Sequence, residues 1–252
     1  MASFSVIIST LNCGPRLDQA LQSVVNQDFG GQYEIIVIDG GSNDCTLDVI
    51  SKYRDSIAYF VSEPDFGIYD AWNKGIEASC FDWILFLGSD DALSPLALHT
   101  YDSYLRNCSS STDYVSGKVF LREPSGKGRV IGRPWIWNEF KHFMKVAHVS
   151  SIHSRKLFQR YGFFSLNYSV CADYEFLLRP GNSLCTGFID EVLAIMSSGG
   201  VSQSSIKPLL QTRRIKYCFS HVSGLSIEYD FFLGLFIWMG VCLRQKVVGF
   251  FS

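Results

Sequence analysis

Glu34-Ile-Ile-Val-Ile-Asp39-Gly-Gly-Ser-Asn-Asp-Cys-Thr46 joins an unbroken apolar run to an acidic, glycine-bearing turn. A strand open to water on one side alternates apolar with polar residues, whereas one covered by helices on both sides is apolar at every position. Working outward from this stretch, Phe4 to Ile8, Ile57 to Val61 and Trp83 to Leu87 carry the same signature. Between these runs, Leu17, Ala20, Leu21, Val24 and Val25 recur at helical spacing, and Ile68, Ala71, Trp72, Gly75 and Ile76 nearly do. Such alternation predicts βαβ units, hence an α/β fold with a Rossmann-like, mostly parallel sheet flanked by helices. Ser94-Pro95 reads as the N-cap and first turn of a further helix.

Beyond residue 113 the pattern changes. Tyr114 to Leu121 and Gly128 to Ile131 read as two strands around Glu123-Pro-Ser-Gly-Lys, an insertion and not a new domain. Residues 150 to 179 read as mixed and mainly helical, 187 to 196 as a strand, and 205 to 222 as a basic helix. Phe231 to Leu243 then runs without a charge, followed by Arg244, Gln245 and Lys246 and the apolar stretch Val247 to Phe251. An uncharged run of this length is too short for a hydrocarbon core that needs about 20 residues. Two readings stay open for this C-terminal helical extension: a helix lying in a membrane surface, or one docked on the body or on a partner chain. The division expected is a main domain over 1–225 and an apolar tail over 226–252.

Composition narrows the function classes. With 252 residues, 47% of them apolar and 18% charged, the chain can bury a full core and is not a disordered segment. Its net charge of -2 and the lack of a dense basic block argue against nucleic acid as a partner. The eight cysteines show no C-x-x-C spacing, which fits reduced thiols better than zinc or disulfides. The first ten residues have no basic leader character, so the expected location is the cytoplasm, at the inner face of the membrane if the tail binds lipid.

In open parallel sheets ligands bind beyond the carboxyl ends of the strands. Acidic and small residues gather there: Asp39-Gly-Gly-Ser-Asn-Asp-Cys-Thr, Ser62-Glu-Pro-Asp-Phe-Gly and Gly88-Ser-Asp-Asp. Asp39 at a strand tip can accept the N3–H of a uracil or thymine, with glycines allowing close backbone approach; equally, this is a strand-to-helix turn in which Ser42 or Asp44 caps the next helix. Asp90 and Asp91 follow a very apolar strand, and adjacent carboxylates repel unless neutralised. A divalent cation, Mn or Mg, bound by one of them and shared with phosphates would neutralise the pair; the plain alternative is a solvated pair near a helix start. Asp173, in Asp173-Tyr-Glu-Phe-Leu-Leu-Arg, is a candidate general base if its helix returns over the sheet edge, and otherwise a surface cap. Of the two histidines before Arg155-Lys156, His148 is the better candidate for holding a diphosphate, while His153 reads as part of an ordinary amphipathic helix. No P-loop, G-x-S-x-G or H-E-x-x-H is present.

Taken together these stretches resemble the family 2 glycosyltransferases of the GT-A fold, especially bacterial enzymes that build exopolysaccharide, capsule or O-antigen. The resemblance runs from about residue 4 to 202, through Val6-Ile-Ile-Ser-Thr-Leu-Asn, Ile36 to Thr46, Ser62 to Ile76, Leu87 to Asp91, His148, Ala172 to Arg179 and Gly199-Gly-Val-Ser. It implies an inverting transfer from a nucleoside-diphosphate-sugar to a hydroxyl of a saccharide or lipid-linked saccharide, with Asp173 as base. It also implies Thr10 and Asp39 in the nucleotide pocket, Asp90 at the ribose, Asp91 on the metal, and Asp70, Asn73 and Lys74 near the donor. Two departures stand out: Leu11 replaces a frequent aromatic, and Ser89 replaces the first carboxylate of the Asp-x-Asp element. The competing reading is a non-catalytic sugar-nucleotide-binding or scaffold protein on the same fold, against which the full set of carboxylates argues. A nucleotidyltransferase is disfavoured because Leu11-Asn-Cys-Gly-Pro-Arg has one glycine only.

Overall fold

The computed structural model describes residues 1–123, 125–200 and 205–240 in full, and the helical backbone of 241–248. The first half of the chain alternates as the apolar runs dictate: β1 (Phe4–Thr10), α1 (Gly14–Val25), β2 (Tyr33–Asp39), α2 (Thr46–Lys52), β3 (Tyr59–Ser62), α3 (Ile68–Ala78) and β4 (Trp83–Gly88). These four strands lie parallel in the order β3-β2-β1-β4. Because side chains alternate across a strand, each apolar run feeds two cores. Phe4, Val6, Ile8, Leu85 and Leu87 pack with Leu17, Leu21 and Val24 of α1 on one face. Ile7, Ile36, Ile38, Ile84 and Phe86 pack with Trp72 and Ile76 of α3 on the other. Burying one such side chain contributes about 1.5–3 kcal/mol. The α3 face must be very close: a Cβ on Gly75 would lie 2.4 Å from Ile7 Cγ2. β3 is the exception to full coverage. It is an edge strand, with Tyr59 exposed, and its pairing begins only at Ile36↔Tyr59.

The second half corrects several expectations. After β5 (Ala92–Leu93) and α4 (Ala97–Asn107) come β6 (Tyr114–Arg122) and β7 (Gly128–Ile131), then the short α5 (Trp137–Phe140), β8 (Ser151–Ser154), α6 (Arg155–Tyr161), α7 (Ala172–Leu178) and β9 (Thr186–Ser197). The sheet continues through β4 as β8-β6-β9-β5, with β7 on β6. The stretch from residue 113 is therefore no insertion: β6 pairs antiparallel with β8 and parallel with β9, in the interior of the one sheet. Residues 150–179 are not mainly helical at their start, because Ser151–Ser154 is a buried strand antiparallel to β4. His153 accordingly sits on a strand, fully buried among rings, and not on an amphipathic helix. Ser94 does not cap α4: its hydroxyl donates to the Val192 carbonyl (2.8 Å), binding β5 to β9, and the helix starts at Ala97. The hairpin at Glu123 is as expected, with Gly126 N–H donating to Glu123 O.

The chain ends in α8 (Lys207–Phe219) and α9 (Gly224–Val248). α9 docks through its first turns, where Ile227 and Asp230 are buried, yet Leu225, Tyr229, Phe232, Phe236 and Ile237 face outward. A helix that is apolar on most sides beyond its first turns cannot bury every side against one neighbour. Among the described residues no helix is long and apolar enough to cross a membrane. Val201 and Ser202 of the Gly199 motif and the side chains from Val241 onward, Arg244 and Lys246 included, lie outside the described residues.

Candidate active site

The carboxyl tips of β1, β2 and β3 are sewn together by polar side chains. Asp39 is fully buried, and its two oxygens accept from Gly41 N–H (3.2 Å), Ser42 N–H (2.9 Å), Ser42 Oγ–H (2.5 Å) and Ser62 Oγ–H (2.6 Å). A carboxylate has about four acceptor positions. Three of the four bonds fall on Oδ2 and one on Oδ1, so Asp39 organises the loops. Asn12, at φ 49°, takes the left-handed conformation that Asn tolerates, and its Oδ1 accepts from Asn43 N–H (2.9 Å) while its own N–H donates to Ser42 Oγ (2.8 Å). Asp44 accepts from Thr46 N–H at the start of α2, the capping role open to it from the sequence. Thr10 Oγ1 lies among these loops, buried and with no protein partner.

α3 begins at Gly67, whose φ of +107° suits glycine. Asp70 accepts from Phe66 N–H (3.1 Å) and pairs with Lys74 (3.6 Å), which also reaches Glu63 (2.7 Å). Asn73 exchanges two hydrogen bonds with the backbone of Phe164 (2.9 and 3.0 Å) and so pins the loop before α7. These three side chains hold the elements beside the cavity; none of them lines it.

The cavity, about 850 Å³, brings together Asp90, Asp91, His148 and Asp173. Asp90 and Asp91 sit on the turn from β4 to β5. The end of β9 clamps them, Ser197 N–H donating to Asp91 Oδ1 (3.1 Å) and Ser197 Oγ to the Asp90 carbonyl (2.7 Å). Burial, helped by the charge of Asp90, pushes the Asp91 carboxyl up to about 7. Asp173 opens α7 and accepts from the Tyr69 hydroxyl (2.9 Å), whose single proton is shared with the Val170 carbonyl (2.6 Å). His148 stacks on Trp72 with ring centroids 5.1 Å apart. Burial lowers its pKa against the opposing pull of Asp173, so it is a neutral donor or acceptor, and its Nε2 has no protein partner. Burial raises the Cys171 thiol on the same wall to about 11, which leaves it protonated and without a nucleophile's role.

Sequence reasoning missed Tyr69, Trp72 and Ser197. Tyr69 and Trp72 sit inside the 62–76 stretch already singled out, where an aromatic pair flanking Asp70 was a usable signal; Ser197 carried none. Among the described residues no group of three or more His, Cys, Asp or Glu could by itself hold a metal. Asp90 and Asp91 nevertheless suit Mg or Mn, which take one or two carboxylates and complete their shell with phosphate oxygens and water. The buried Asp91, its carboxyl pKa raised by burial and by the partly exposed Asp90 beside it, is stabilised in its charged form by such an ion.

Residues 5–145 match the protein-family model described as Glycosyl transferase family 2. Over 209 residues the chain is 29% identical to a "PGL/p-HBAD biosynthesis glycosyltransferase" of Mycobacterium bovis (strain BCG / Pasteur 1173P2), covering 81% of this chain and 80% of that one. In fold it is similar to S. aureus TarS 1–349, solved in complex with UDP-GlcNAc, with a TM-score of 0.67 at 16% identity over 91% of this chain and 70% of that one. It also resembles the mannosyltransferase PcManGT from Pyrobaculum calidifontis, solved with GDP-Man and Mn2+, with a TM-score of 0.60 at 14% identity over 98% of this chain and 80% of that one.

Proposed function

This chain belongs to glycosyl transferase family 2 and is a glycosyltransferase, and from that premise we propose that it moves a sugar from a nucleoside-diphosphate-sugar, with inversion, to a hydroxyl of a saccharide or lipid-linked saccharide in surface polysaccharide synthesis. The observation that carries this reading is the single cavity lined by Asp90, Asp91, His148 and Asp173. Two chemically opposite tasks are needed there: one group takes a proton from the acceptor, and another region tolerates a departing diphosphate. The acceptor oxygen attacks the anomeric carbon, its proton passes to Asp173, and the bond to the diphosphate breaks with its electron pair leaving on the nucleotide. Tyr69 fixes the Asp173 carboxylate in place. Asp91, with Asp90 beside it, would hold a divalent cation, Mn or Mg, which when bound neutralises charge on the leaving group.

Around this centre, Thr10 would offer its unpartnered but buried hydroxyl to a nucleotide once the loops over it shift, and Asp39 acts through the loops it ties. Asp70, Asn73 and Lys74 act on the donor side by holding α3 and its flanking loops. His148 lines the cavity, and its unpartnered, buried Nε2 would serve a phosphate or sugar oxygen as a neutral partner once the ring turns. The outward apolar side chains of α9 support a contact with the cytoplasmic face of a membrane, where a lipid-linked acceptor would be met.

The test is nucleoside diphosphate release with a panel of UDP-, dTDP- and GDP-sugars and Mn, together with the anomeric configuration of the product by NMR. Release that depends on Asp91 and Asp173 and gives the inverted anomer is expected. A retained anomer, or turnover indifferent to both residues, contradicts the proposal.

A further inference from the structure

The cavity around Asp173 is larger and more apolar than a sugar alone requires. Away from the carboxylates its wall is aliphatic, drawn from Ile131, Met144, Val146, Val149, Leu209 and Ile227. A sugar ring presents a hydroxyl at almost every carbon, and each hydroxyl buried without a partner is costly. The hydroxyls beside this wall, of Ser169, Thr212 and Tyr174, already bond within the chain. Two cations border it, and both are engaged within the chain. Lys216 Nζ donates to Asp230 (2.9 Å) and lies 4.6 Å from the Phe143 ring centroid, while Arg213 is bonded to Glu228 (2.8 Å). Asp230 is further tied to His142 (2.8 Å). A diphosphate drawing on Lys216 would have to break its pair with the buried Asp230.

We propose that the acceptor carries an uncharged apolar aglycone, alkyl or aryl, and that this aglycone lies against the wall formed by Ile131, Met144, Val149 and Ile227 while the hydroxyl reaches Asp173. The inference rests on the glycosyltransfer reading above and names its acceptor class. Continuity supports it from two sides. The same cavity holds Asp173, and the helix that supplies Ile227 and Phe231 to the wall carries outward-facing Phe232, Phe236 and Ile237 next in sequence. A hydrocarbon therefore meets apolar side chains both inside the cavity and along the helix that borders it.

The experiment uses the full chain with its preferred donor and Mn, and compares three acceptors bearing the same sugar: the free sugar, its n-octyl glycoside and its polyprenyl-diphosphate conjugate. Donor hydrolysis without acceptor is followed in parallel as an independent sign of donor chemistry. The octyl glycoside is expected to show a KM at least about tenfold below that of the free sugar, since each buried methylene adds to binding. In Met144→Gln the ratio of the two KM values should fall towards one, with circular dichroism melting curves separating lost preference from lost fold. Equal KM values for free sugar and octyl glycoside, or a polyprenyl-diphosphate acceptor preferred to the octyl glycoside, overturn the inference while leaving glycosyltransfer intact. Absence of both transfer and donor hydrolysis across the donor panel overturns the reading on which it rests, and the inference with it.

Discussion

Asp91 and Asp173 face one cavity under opposite demands. Burial and the neighbouring Asp90 charge raise Asp91 from its ordinary 3.8 to about 7. Between those values the folded chain keeps a proton that the unfolded chain has released, so stability falls as pH climbs through this window, by up to about 4 kcal/mol. Asp91→Asn should remove that dependence. Urea melts at pH 5 and pH 8 without metal check it, and an unchanged slope in the variant would place the titration elsewhere. Tyr69→Phe tests positioning: losing the hydroxyl that touches Asp173 should lower kcat about tenfold or more, with KM for donor little moved. A rise in donor KM with kcat intact would make Tyr69 a binding residue and not a positioning one. The carboxylates themselves were legible in the sequence because each follows a strand or opens a helix at the sheet edge. Their partners Tyr69 and Ser197 were not, since contacts 104 and 106 residues apart leave no local pattern.

At the level of elements, the βαβ half was readable because strands covered on both faces announce themselves as continuous apolar runs. β5 and β8 were not, for a physical reason. Ala92–Leu93 is two residues long, and Ser151-Ile-His-Ser is a polar-looking strand in which Ser151 Oγ finds Tyr114 Oη across the sheet (2.7 Å). Ser94 followed by Pro95 fits a helix start, but the Val192 carbonyl competes for the same hydroxyl and β9 wins it. The contact of α3 with β1 gives a sharp prediction. Gly75→Ala puts a methyl 2.4 Å from Ile7 Cγ2, inside the core of the sheet. Overpacking of this kind costs about 1–3 kcal/mol, so chemical denaturation should show that loss, and the loss should shrink in an Ile7→Ala background, which lacks Cγ2. A neutral Gly75→Ala would mean that α3 moves freely over β1, and with it Tyr69.

For the molecule as a whole, one continuous sheet brings the β4–β5 turn, the end of β9, the start of α3 and α7 around the same crevice, and α8 and α9 close its far wall. The apolar tail was visible in the sequence, but its mode of use was not, because the uncharged stretch from Phe231 to Leu243 satisfies either lipid or protein. Phe236→Glu with Ile237→Glu changes two exposed residues without touching the core, and is expected to move the protein from membrane to soluble fractions, as deletion of 231–252 should. An unchanged distribution would favour a protein partner for α9. The most direct test of the whole arrangement is Asp173→Asn assayed side by side for donor binding, by thermal shift with Mn, and for transfer. The account predicts a donor-induced stabilisation close to the wild type, since a bound ligand raises stability by mass action, together with a loss of transfer of at least about 10²-fold, the lower range for a general base. Transfer within a few-fold of the wild type would contradict it.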